Sequence, residues 1–141
     1  MIKSVLIALA LTSSAATFVA PQGFAQTIIE QTQLPSGDFV RKSKRLQGSY
    51  EVIQRDGQTF IRFSDDFRAA RGPDLKIFLS PKDVKTVTGK TAVDGSILLG
   101  ELISTRGAQE YLVPEGVDLN EFGSVLVHCE EFAVLWGGSD L

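Results

Sequence analysis

Ser49-Tyr-Glu-Val-Ile-Gln-Arg-Asp-Gly-Gln-Thr-Phe-Ile-Arg-Phe-Ser64 decides the fold class. Two runs rich in β-branched and aromatic residues flank Asp56-Gly57. Asp-Gly between such runs is the strongest short-range hairpin signal, because both central residues of the tight turn need positive φ. Alternation then puts Tyr50 and Val52 on one face of the first strand. Ile61 and Phe63 share one face of the second, and Phe60 points the other way.

The same grammar extends along the chain. Leu75 to Leu79 alternates as a strand and stops at Ser80-Pro81. Residues 81–96 are rich in Lys, Thr, Asp and Gly, with a weak Val84/Val87 pattern and a turn at Asp94-Gly95, so they read as a loop or short irregular strand. Ile97 to Ile103 and Gln109 to Val113 are further strands, separated by a turn at Arg106-Gly107 and ended by Pro114. Asp118 to Phe122 has the makings of one helical turn capped by Asp118. About seven short strands, Gly- and Pro-rich turns and almost no helical period predict an all-β antiparallel β-sandwich, with a barrel as the alternative.

On the N-terminal side, Phe39 is the first expected core residue. Arg41-Lys-Ser-Lys-Arg45 places four cations in five positions. It is read as a solvated edge or loop that discourages strand pairing, with contact to an acidic partner or a phosphate as the second reading. Asp65, Asp66 and Asp74 have ordinary turn spacing and do not match a calcium loop. No metal site is assigned.

The first residues carry a leader pattern. Lys3 precedes an apolar run from Val5 to Leu11 that is too short to span a bilayer. Gly23 and Ala25 suit signal-peptidase cleavage after Ala25, so residues 1–25 are expected to be a signal peptide. Residues 26–35 are expected to be a tether and 36–141 a single domain, in a secreted or periplasmic setting. The expected mature chain of 116 residues is long enough for a real core. Its charge is −4, from 13 basic and 17 acidic residues, with no bias toward nucleic acid and no transmembrane segment.

Chemistry concentrates in Ser124-Val-Leu-Val-His-Cys-Glu-Glu-Phe-Ala-Val-Leu-Trp136, which holds the only Cys, the only His and the only Trp. One cysteine cannot form an internal disulfide. Cys129 is therefore packed, free to react or bind a ligand, or paired with a second chain as a homodimer. Alternation places Cys129 with Val125 and Val127, and His128 with Leu126, so the two neighbours diverge unless a bulge intervenes. Glu130-Glu131 is expected to bend the strand and to disfavour a thiolate, unless a cation such as Arg62 or Arg71 arrives from elsewhere. Beyond the bend, Phe132, Val134 and Trp136 are expected on one face, and Ala133 and Leu135 on the other. His128 and Trp136 are secondary site candidates. No catalytic residue is assigned, and no Cys-x-x-Cys-His motif for covalent haem occurs.

An ordered set of landmarks adds a resemblance. It comprises Ser36-Gly-Asp-Phe39, Gly48, Phe63-Ser-Asp-Asp-Phe67, Gly72-Pro-Asp-Leu-Lys-Ile-Phe-Leu79, Gly107-Ala-Gln-Glu-Tyr-Leu-Val-Pro114, Ser124-Val-Leu-Val-His-Cys129, Phe132-Ala-Val-Leu-Trp-Gly137 and Leu141. Over residues 36–141 the chain resembles the DM-thirteen domain, an extracytoplasmic β-sandwich often found beside DOMON domains. The resemblance implies an electron-transfer role centred on Cys129, as redox thiol or as ligand to a group such as haem, with an external redox or envelope protein as partner. His128 departs from the aromatic residue common before that cysteine. The expected function is thus a redox-associated accessory module. The alternative is a structural or adhesive envelope module in which Cys129 is only packed.

Overall fold

The computed structural model describes residues 33–141. The expected signal peptide, and all but the end of the expected tether, lie outside the described residues.

The hairpin forms as the sequence predicts. β4 (Ser49–Arg55) and β5 (Gln58–Phe63) pair antiparallel, with Arg55 opposite Gln58. Asp56 and Gly57 supply the two positive φ angles, 53° and 76°. β1 (Ser36–Asp38) pairs with β4, and β9 (Gln109–Leu112) with β5. Together they make a four-stranded sheet in the order β1-β4-β5-β9.

The second sheet has five strands. β7 (Leu75–Ser80), β10 (Ser124–Cys129) and β11 (Val134–Asp140) form its centre, flanked by β2 (Val40–Arg41) and β8 (Ile97–Glu101). The order is β2-β11-β10-β7-β8, all antiparallel. A short pair, β3 (Leu46–Gln47) with β6 (Arg68–Ala69), closes one end. A single 3-10 turn, Leu119–Glu121, is capped by Asp118, whose side chain accepts from the Asn120 amide as expected.

The main core lies between the two large sheets. Tyr50, Val52, Ile61, Phe63 and Tyr111 from the first meet Leu75, Ile77, Leu79, Val125, Val127 and Trp136 from the second. Phe39, Phe63 and Phe67 form an aromatic knot with centroids 4.7–5.5 Å apart. Such edge-on and tilted pairs add roughly 0.5–1.5 kcal/mol each beyond area burial. Buried phenols are satisfied: Tyr50 donates to the Asp140 carbonyl at 2.8 Å, and Tyr111 donates to Gln109 Oε1 at 2.6 Å. Burial pushes both tyrosines up to about 12.

A second, smaller core covers the outer face of the five-stranded sheet. Val84, Val87 and Ala92 pack there on Phe78, Leu126 and Leu135. Residues 81–96 are turns rather than a strand, and their weak Val84/Val87 pattern is this cover.

Candidate functional site: the strand of Cys129

β10 is buried at every position from Ser124 to Cys129. It lies between β7 and β11, so both of its backbone edges are paired. A continuous apolar run is the mark of a strand covered on both faces. Val125, Val127 and Cys129 enter the main core, while Leu126 enters the outer one. His128, facing the same way as Leu126, packs its ring against Phe78 at 6.0 Å.

A bulge does occur next to the cysteine, but on the partner strand. Val127 pairs with Gly137 and His128 with Leu135, which leaves Trp136 as the additional residue of β11. The alternation of β10 is untouched, so His128 and Cys129 face opposite ways as expected. Trp136 turns into the main core, where its Nε1 donates to the Ala70 carbonyl at 2.9 Å. Gly72 lies against its six-membered ring, 2.8 Å from where a Cβ would sit.

The stretch after Cys129 needs a correction. Phe132 and Ala133 belong to a turn, not to a strand face: Ala133 has φ 50° and Phe132 is 62% exposed. Their place in the turn follows from the bend at Glu130-Glu131, which completes the reversal before β11 begins at Val134. Val134 and Trp136 do face the main core, and Leu135 the outer one.

The charges around the site are organised away from the sulfur. Lys76 bridges Asp74 and Glu130, and the Glu131 amide donates to Asp74 Oδ2 at 3.0 Å. Glu130 is thus engaged with Lys76. Arg62 pairs with Glu51 and Glu110 on the outer face of the other sheet, and Arg71 is exposed. Neither of the two arginines named above as thiolate partners shares the core with Cys129, whose side chain has 0% exposure.

His128 is 1% exposed, and its Nδ1 has no hydrogen-bond partner. Burial pushes its pKa below the ordinary histidine value, against the opposing pull of Glu130, the Val134 backbone and Asp74. The ring sits beneath the outer cover against Phe78, where burial disfavours its charged form.

Three clefts lie among the described residues. One, about 600 Å³, lies on the four-stranded sheet beside Ser49, Glu51, Arg62 and Asp65. One of about 470 Å³ runs beside Gln58 and Leu112 to Val117, and one of about 180 Å³ beside Gly72, Leu75 and Glu101. Cys129 and His128 line none of the three. Haem is a large planar group, and these residues do not fit it. The sulfur is enclosed by core side chains, and the imidazole opens into a different cluster on the other side of the sheet. Among the described residues no group of three or more His, Cys, Asp or Glu is arranged to hold a metal ion.

The cover of Val84, Val87 and Ala92 was the part that sequence reasoning missed. The spacing of Val84 and Val87, with apolar Leu126 on the face of its strand opposite Val125 and Val127, was the signal for it.

Comparison with known proteins gives one assignment. A family model described as Electron transfer DM13 matches residues 38–140, most of the chain. No curated protein and no solved structure matches. With its ordered landmarks, its all-β architecture and this match, the chain belongs to the electron transfer DM13 family.

Proposed function

We propose that this chain is an accessory module of an extracytoplasmic electron-transfer system that works through its rigid surface, with Cys129 serving as a core residue. The observation behind this reading is the complete burial of Cys129 on a central strand, flanked by paired neighbours and lining none of the three clefts. A thiol acts as nucleophile or ligand through its thiolate, which needs access and a stabilising charge. Buried Cys otherwise behaves as a small hydrophobe. A disulfide between two copies would require β10 to leave the sheet.

Membership of an electron-transfer family favours a second reading, in which Cys129 itself cycles or binds a group after local opening. Protein purified from its native compartment separates the two. The first reading expects no visible absorption band and full support of partner oxidation by Cys129→Ala. Loss of partner oxidation in a folded Cys129→Ala variant, or a visible band that disappears with the sulfur, establishes the second.

A further inference from the structure

Charge is unevenly distributed over the described residues. Sequence stretches 39–50, 67–73 and 84–93 contain no Asp or Glu, although the chain as a whole is net negative at −3. The structure brings parts of these three stretches together around the beginning of β11.

The end of β2 and the loop after it supply Arg41, Lys42, Lys44 and Arg45, all exposed. This loop is pinned by its backbone: the Lys42 and Ser43 amides donate to the Trp136 carbonyl, and the Ser43 hydroxyl to the Leu135 carbonyl. The second loop supplies exposed Arg71. The Ala70 amide beside it donates to the Arg45 carbonyl at 2.8 Å, and Gly72 on its other side lies under Trp136. The third supplies exposed Lys85 and Lys90. Lys42 Nζ donates to the Lys85 carbonyl at 3.2 Å, and Gly89 abuts the Ala133 carbonyl.

None of these seven cations lies within ion-pair distance of a carboxylate among the described residues. Elsewhere Arg55, Arg62, Lys76 and Lys82 do, while Arg106 does not. Seven unpaired cations on segments tied to one strand form a preorganised surface, since those segments are ordered before anything binds.

We infer that this surface docks an acidic face or segment of a partner protein; the inference rests on the surface-acting module proposed above and names its partner's chemistry. Three of the seven are arginines, whose planar forks suit carboxylates. A membrane fits less well. Interfacial binding calls for aromatic anchors among the cations. The indole of Trp136 is buried, as are Phe39, Tyr50 and Phe67, so none of the three loops presents an exposed aromatic anchor. Docking here would bring the partner against the loops that cover Trp136 and, behind it, the core containing Cys129.

The test uses the expected mature chain, a fluorescently labelled oligoglutamate peptide, and vesicles of phosphatidylcholine with phosphatidylglycerol. The peptide should bind at low salt and weaken as salt rises, because screening shortens the reach of exposed charges. K42E/K44E/R45E should lower its affinity at least about tenfold with an unchanged melting temperature, because opposed charges at a binding surface set partner choice. Arg106→Glu, outside the surface, should leave affinity unchanged. The inference is overturned by no peptide binding at low salt, by equal binding to the triple variant, by equal losses in both variants, or by vesicle binding that exceeds peptide binding. None of these outcomes involves the thiol, so failure here leaves the assignment of Cys129 as a core residue standing.

Discussion

The two faces of β10 carry side chains one residue apart in sequence and put them in different environments. Cys129 enters a core built by two sheets, with the aromatic knot of Phe39, Phe63 and Phe67 in the same cluster. His128 enters a thinner layer, where one turn-rich segment covers a single sheet. The difference shows how a strand can hold adjacent reactive side chains without letting them cooperate. It also separates how each is probed: the sulfur through the packing around it, and the imidazole through its protonation.

Changes on the inner face should cost most. Phe63→Ala removes the centre of the knot and should cost about 3–5 kcal/mol, measured by denaturant titration. On the outer face, Leu126→Ala should cost about 2–3 kcal/mol, at the low end for its type, because a cover held by turns can settle into the space. Equal costs would mean that the outer layer is as rigid as the inner one. Gly89→Ala probes the cover directly. A Cβ there collides with the Ala133 carbonyl, so the segment must lift; the expected cost is roughly 1–3 kcal/mol.

The smallest effect is the most diagnostic for His128. Its folded-state pKa lies below the ordinary value of about 6.5, so the unfolded chain takes up the proton first as pH falls. The histidine contribution is therefore fully present above about pH 6.5 and declines as pH falls toward the folded pKa. Denaturant midpoints at pH 7.5 and 5.5 should differ in the wild type. His128→Leu should flatten that difference, and an unchanged difference would place the proton elsewhere.

Much of this arrangement was legible in the sequence. Asp56-Gly57 specified its turn chemistry, and Tyr50, Val52, Ile61 and Phe63 specified their burial by alternation. The divergence of His128 and Cys129 followed from the same period. What alternation could not supply was the third dimension. The two-residue strands at Val40–Arg41, Leu46–Gln47 and Arg68–Ala69 are too short to show a period, and they exist only because neighbouring strands template them. Residues 84–92 carry too few apolar side chains to announce a core and depend on Phe78 and Leu126 to complete one. Phe132 looked like a strand residue because its turn is set by Ala133 in a left-handed conformation, which an alanine does not advertise. For the candidate site, the sequence identified Cys129 and its neighbours but not the engagement of Glu130 by Lys76, which depends on strand register.

The central claim, that Cys129 is a closed core residue, is tested most directly by titrating the thiol with an aromatic disulfide reagent before and after denaturation. The fold predicts no reaction in the native protein on the timescale of a free thiol, and one reactive thiol per chain once β10 is unfolded. A native sulfur that reacts at the rate of an exposed cysteine would contradict it.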